Sequence, residues 1–155
     1  MEFKLDSIDK KILRKLQENA KITNSQLAKE VGLSPAPTLE RVKKLENIGF
    51  IKGYHAELDQ EKLDLGVCVF VQASLHGSNK VTMEKFKEKV HSISEIVECY
   101  HVTGSSDFLL KILSRDIKSY NEFILDKLID LTEIGNLKSL VVLSTVKNSK
   151  VLPFN

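Results

Sequence analysis

Gly32 and Pro35 stand three residues apart, between two segments that each carry a helical pattern. Thr23 heads the first segment as a capping residue, Leu27, Ala28 and Val31 form its apolar side, and Gly32 stops it. Only Leu33 separates Gly32 from Ser34, which opens the second segment, SPAPTLERVKKLENIG. Ser34 is an N-cap type, whose hydroxyl accepts from a first-turn N–H. Pro35 follows at the first helical position, where a missing N–H costs nothing, and Pro37 also falls in the first turn. Leu39, Val42, Leu45 and Glu46 are expected on one side, Ile48 closes this core stripe, and Gly49 ends the helix. The other side carries Ala36, Glu40, Lys43, Lys44 and Asn47, with Arg41 at the boundary. Two helices joined by so short a glycine-containing turn make a helix-turn-helix, a motif whose second helix enters the major groove.

The residues before and after extend this motif. Asp6 and Asp9 have the spacing of a capping pair, and Ile8, Ile12, Leu13 and Leu16 form the buried stripe of a first helix. Phe50–Leu58 reads as a strand interrupted at Gly53, so three helices and a strand predict a winged helix-turn-helix over residues 1–60, linking strand included. Its partner would be double-stranded DNA. Arg41, Lys43 and Lys44 suit phosphates, and Arg41 alternatively reads a guanine or pairs with an acidic neighbour inside the domain. Ser34, Pro35 and Thr38 open the recognition helix, where contacts fall on phosphates or base edges. Ser25 and Gln26 open the preceding helix and suit the DNA backbone. Glu40 either pairs with Lys44 or accepts from a cytosine amino group. The non-DNA alternative is a helical protein-interaction module.

Charge supports this division only weakly. Residues 1–60 hold 11 basic and 9 acidic side chains, and residues 61–155 hold 12 of each, so the net charge of +2 lies in the first part. The two cysteines, Cys68 and Cys99, lack metal-like spacing and sit in apolar runs, as free thiols of a cytoplasmic protein would. No signal peptide is expected, and no apolar run approaches membrane-spanning length.

Residues 61–155 alternate strand and helix patterns. Gly66–Leu75 reads as a strand, Val81–Val90 as a helix, and Glu95–Thr103 and Asp107–Leu113 as strands joined by a turn at Gly104-Ser105-Ser106. Asp116 caps a longer helix that Gly135 is expected to break, and Lys138–Lys147 is the last strand. The order β-α-β-β-α-β is the ferredoxin-like arrangement, so the whole chain reads as α+β. Cys68 and Phe70 give the first strand a second apolar face, and Leu140 and Val142 alternate with Val141 and Leu143. The two helices of this fold cover one face only, so a second copy of the chain is the simplest cover for the other. Cys99 and His101 face the same side of a strand, as a thiolate–imidazole pair would, but no third orienting group accompanies them and packing is expected. His55, His76 and His91 are scattered. Neither catalysis nor a metal site is expected.

LDSIDKKILRKLQENAKITNSQLAKEVGLSP (5–35), LERVKKLENIGFIKGY (39–54) and VTGSSDFLLK (102–111) together resemble the leucine-responsive regulator / asparagine-synthetase regulator family (Lrp/AsnC) of prokaryotic transcription factors. The resemblance covers almost the whole chain. It implies a winged helix-turn-helix joined to a ferredoxin-like effector-binding and oligomerisation domain, dimers that often assemble to octamers, and an amino-acid effector bound between subunits without any cofactor. Ala36-Pro37-Thr38 looks most like the leucine-responsive branch, which implies leucine or another apolar amino acid. Gly104–Asp107, preceded by Thr103, matches the family's Gly-x-x-Asp loop: the glycine admits close backbone approach, neighbouring N–H groups hold the carboxylate, and Asp107 accepts from the ammonium. Val141 and Val142 match last-strand positions implicated in effector response. Phe108 stands where the family often has tyrosine. The alternative from another class is an amino-acid-binding assembly protein whose helix-turn-helix has lost DNA binding.

Overall fold

The structure is a computed structural model that describes residues 3–77 and 79–154. The chain divides into two compact units, one of residues 1–57 with 146–155, the other of residues 58–145. Residues 146–154, placed by sequence with the second unit, cluster with the first.

Three helices build the first unit: α1 (Ser7–Glu18), α2 (Asn24–Val31) and α3 (Pro35–Ile48). A full capping box starts α1, with the Asp9 N–H donating to Asp6 Oδ1 at 2.8 Å and the Asp6 N–H donating to Asp9 Oδ2 at 3.3 Å. The Gln26 N–H donates to Thr23 Oγ1 at 3.2 Å and starts α2. Gly32 ends α2 at φ +78°, a left-handed conformation that strains any residue with a Cβ. Ile12, Leu27, Val31 and Leu45 form the core, ringed by Leu5, Ile8, Leu13, Leu16 and Val42.

Two expectations for this unit fail. Phe50–Leu58 forms no strand, because a strand exists only by pairing and no ladder partner is present among the described residues. The core stripe of α3 keeps Val42 and Leu45 but takes Thr38 in place of Leu39 and Ile48: Thr38 is fully buried, whereas Leu39 and Ile48 are each 43% exposed. A threonine can hold this core position because its hydroxyl donates to the Ser34 carbonyl at 2.9 Å and is satisfied there.

The second unit has β1 (Val67–Leu75), α4 (Lys80–His91), β2 (Ile96–His101), β3 (Phe108–Ser114), α5 (Ile117–Phe123) and β4 (Ile134–Val141). The sheet is antiparallel with strand order β2-β3-β1-β4, the ferredoxin-like topology. Val69, Val71, Ala73, Phe108, Leu110 and Ile112 point to one face and pack with Phe86 and Val90 of α4 and with Tyr120 and Phe123 of α5. Past Phe123 the helix continues as a π turn, Ile124–Leu128, closed by the Ile129 N–H donating to the Ile124 carbonyl at 3.0 Å. A π turn brings residues five apart nearly into line, so Phe123 and Leu128 both reach the core.

The last strand departs from its expected bounds. It runs from Ile134 to Val141 rather than from Lys138 to Lys147, and Leu143 and Val146 are almost wholly exposed beyond it. Gly135 is not a helix breaker but a residue of β4, where a Cβ would stand 3.1 Å from the His76 ring nitrogen. The opposite sheet face holds Phe70 with its partners Lys111 and Leu140, and Leu109 with its partner Tyr100. Among the described residues of this unit, α4 and α5 both pack on the other face. Among the described residues, no helix is long and apolar enough to cross a membrane.

Candidate nucleic-acid interface and effector loop

The turn between α2 and α3 is fixed by backbone and side chain together. The Leu33 N–H donates to the Ala28 carbonyl at 2.9 Å, and the Asn24 side-chain amide donates to the Pro35 carbonyl at 2.8 Å. Asn24 therefore ties the first residue of α2 to the first residue of α3, a role that no spacing rule marks. Ser34 occupies the N-cap position but makes no capping hydrogen bond. The sequence explains this: the third helical residue, which commonly supplies the donor, is Pro37 and has no N–H.

Of the residues proposed to meet DNA, Ser25, Gln26, Ser34, Pro35, Glu40, Lys43 and Lys44 have exposed side chains. Lys44 Nζ lies over the Phe3 ring, 4.4 Å from its centroid, and that ring stands 5.8 Å from the Phe50 ring just past the end of α3. Thr38 and Arg41 are placed differently. Thr38 is buried and spends its hydroxyl on Ser34, so it cannot reach a groove. Arg41 Nη1 bonds Asp6 Oδ2 at 2.6 Å and Asp9 Oδ1 at 2.7 Å, which realises the internal pairing held open from sequence. The Asp6 carboxyl is held below the usual carboxylate range, first by the Asp9 backbone N–H and then by the Arg41 guanidinium. The same bonds push the Arg41 guanidinium upward. A second tie crosses from α1 to α2, where Lys15 Nζ stands 3.1 Å from Glu18 and 3.3 Å from Glu30.

In the second unit, the loop from Val102 to Asp107 joins β2 to β3. Gly104 adopts φ +123°, so the position excludes other residues by backbone strain. The close approach expected there is not made within the chain: a Cβ on Gly104 would meet nothing within 4 Å. Asp107 Oδ2 accepts the Leu75 N–H at 2.8 Å, and the Asp107 N–H donates to the Ala73 carbonyl at 3.0 Å. The aspartate is thus a clasp between β1 and the loop. One such bond leaves a carboxylate with further acceptor capacity. Thr103, Gly104 and Ser105 are exposed around it.

Val141 and Val142 lie elsewhere. Val141 pairs with Val69, and the Val142 N–H donates to the Cys68 carbonyl at 3.0 Å, at the start of β1. Asp107 meets the end of the same strand. At roughly 3.3 Å per residue, six residues of β1 put the two groups about 20 Å apart. One chain does not bring them together.

Cys99 and His101 share a pocket of about 220 Å³ with Lys87, His91 and Phe108. Partial desolvation pushes the Cys99 thiol up, although the residue is exposed at the surface. No group of three or more His, Cys, Asp or Glu among the described residues could hold a metal.

Sequence reasoning missed the end of the chain. The Gln17 amide takes the Leu152 N–H on Oε1 at 2.7 Å and donates through Nε2 to the Leu152 carbonyl at 3.4 Å. Arg14 Nη2 donates to the Phe154 carbonyl at 3.2 Å, and its guanidinium lies 5.5 Å from the Phe154 ring centroid. Residues 152–154 line an apolar pocket of about 620 Å³ with Leu13, Leu16, Phe50 and Tyr54. The signal in the sequence was VLPF, an apolar group after the polar KNSK.

Comparison with known proteins agrees with both halves. The Lrp/AsnC ligand binding domain matches residues 68–152, and a winged helix-turn-helix DNA-binding domain matches residues 5–52. The chain is 38% identical over 155 residues to the transcriptional regulator AzlB of Bacillus subtilis, covering 100% of this chain and 99% of the relative. It is 40% identical over 148 residues to the leucine-responsive regulatory protein of Escherichia coli, covering 96% and 90%. A Neisseria meningitidis transcriptional regulator solved as its L-Met complex superposes with a TM-score of 0.94 at 36% identity, over 98% of each chain. E. coli AsnC superposes with a TM-score of 0.89 at 26% identity, over 97% of this chain and 100% of that one. With a basic helix-turn-helix at one end, a ferredoxin-like ligand-binding unit at the other, and relatives matched from end to end, this chain belongs to the Lrp/AsnC family of transcriptional regulators.

Proposed function

We propose that this regulator works in the cytoplasm as a homo-oligomer, dimers assembling further to an octamer, whose grip on double-stranded DNA is set by an apolar amino acid such as leucine or methionine. Ser25, Gln26, Ser34, Pro35, Glu40, Lys43 and Lys44 meet the DNA. The effector lies on Thr103, Gly104 and Asp107, with the Asp107 carboxylate accepting from its ammonium. Val141 and Val142 of another subunit respond to it. The observation that carries this reading is the separation of about 20 Å between the Asp107 clasp and Val141 along β1. A single amino acid cannot span it, so both groups serve one ligand only where two chains meet. Binding there would alter the packing of subunits and hence the spacing at which two half-sites are read.

Asp107→Asn tests this. Asparagine keeps an oxygen for the Leu75 N–H, which Asp107→Ala would leave unbonded, but it loses the charge that holds an ammonium. Calorimetry against a panel of amino acids is expected to show binding of an apolar one by the parent and none by the variant. A mobility-shift titration is expected to lose the effector's influence, typically ~5- to 150-fold in DNA affinity, while effector-free binding stays. Unchanged affinity of the variant for the same amino acid moves the site elsewhere.

A further inference from the structure

With Thr38 taking the core position, α3 leaves on its outer side a residue that the periodic pattern assigns to the core. Leu39 is 43% exposed. It lies three residues after Ala36 and four before Lys43, so these side chains share one stripe of the helix. Around the first two turns of that stripe are Pro35, Ala36, Leu39 and Glu40, all exposed. The cations come later, at Lys43 and Lys44. The only arginine of the helix, Arg41, is turned away into its bonds with Asp6 and Asp9. In a helix-turn-helix the early residues of the recognition helix reach the base edges. Here the exposed ones offer aliphatic carbons, the Ser34 hydroxyl and one carboxylate, with no fork of donors for a guanine. The major-groove feature that an aliphatic side chain recognises is the C5-methyl of thymine.

We propose that Leu39, flanked by Ala36, is a specificity-determining residue that reads a thymine methyl in each half-site. The proposal rests on α3 being the helix that enters the groove. It also assigns the charged neighbours: Lys43 and Lys44 fix position on phosphates, and the choice of base at this step comes from apolar contact. Because Leu39 is exposed and leaves the unit's core untouched, shortening it leaves the fold in place.

The test uses the full chain and an operator recovered by selection from randomised duplex DNA. Each thymine of that operator is replaced in turn by deoxyuridine, which deletes only the methyl group, and affinity is measured by fluorescence anisotropy. The expected result is one or two thymines per half-site where the replacement weakens the parent about fourfold, the factor for one buried methyl-sized group. Leu39→Ala is expected to bind the thymine and uracil operators equally at those steps. Lys43→Ala is expected to bind every operator more weakly and to keep the uracil penalty. The scan on the parent protein needs no variant at all. A parent indifferent to every uracil, or a penalty that survives in Leu39→Ala, overturns the assignment. Selection that retains no duplex is a different failure, that of α3 as a DNA reader.

Discussion

Arg41→Ala is expected to lower the unfolding free energy by about 2–3 kcal/mol while leaving the operator's base preferences as they were. The guanidinium binds two carboxylates at 2.6 and 2.7 Å, and the Asp9 side chain is only 8% exposed. Removing one partner of a fully buried pair typically costs ~3–5 kcal/mol, because the other charge stays buried. Arg41 itself is 32% exposed, so solvent screens part of that loss and the smaller figure applies. Urea denaturation measures the stability, and competition among single-base operator variants measures the preferences. Relaxed preference at one base pair, with unchanged stability, would make Arg41 a guanine reader after all. The pH dependence follows from Asp6, whose carboxyl lies below its ordinary value of 3.8 in the folded unit. The stability linked to it is fully present above that ordinary value. It is lost as the pH falls through the lower, folded value.

Phe70→Glu is expected to separate the subunits. Phe70, Leu109 and Leu140 share the sheet face opposite the helices, beside the Lys111–Glu98 pair at 2.9 Å and Tyr100. A carboxylate at Phe70 remains hydrated in a lone chain and is costly against a second apolar face. Sedimentation velocity at micromolar concentration is expected to give a dimer or larger for the parent and a monomer for the variant. Phe70→Leu serves as the control and stays associated. Two half-sites held by one dimer gain ~10²- to 10⁴-fold over one, so the operator affinity of Phe70→Glu is expected to fall by a factor of that order. A variant that sediments with the parent would place the subunit contact elsewhere.

What could be read from sequence was whatever depends on neighbours a few residues away. Caps at Asp6, Thr23 and Asp116, the stop at Gly32 and the turn at Gly104 are local, and each forms as its residue types require. The ferredoxin-like order follows from the same local signals taken in sequence. Errors arose where a distant partner decides. Periodicity put Leu39 inside because leucine is apolar, but Thr38 wins the site by bonding its hydroxyl to Ser34. Gly135 looked like a breaker, yet its missing Cβ makes room for His76, almost sixty residues earlier. For Arg41 the sequence left DNA contact and internal pairing both open, because the carboxylates that bond it lie at the start of another helix. In the effector loop, glycine and aspartate were found, but the clasp onto Leu75 needed the register of β1 against β3.

The grip of Gln17 and Arg14 on Leu152 and Phe154 makes the second unit an insertion within the first. A ribosome releases residues 1–57 long before the segment that covers Leu13 and Leu16. At roughly 5–20 residues per second the delay is about 5–20 s. During that interval α1 shows its apolar flank to the cell, and the three helices lack their last strap. The DNA-binding unit is therefore completed only once residues 152–154 have been made. A chain lacking residues 152–154 would keep every proposed DNA contact and lose the strap, so the integrity of that distant segment is registered in the helices it clasps.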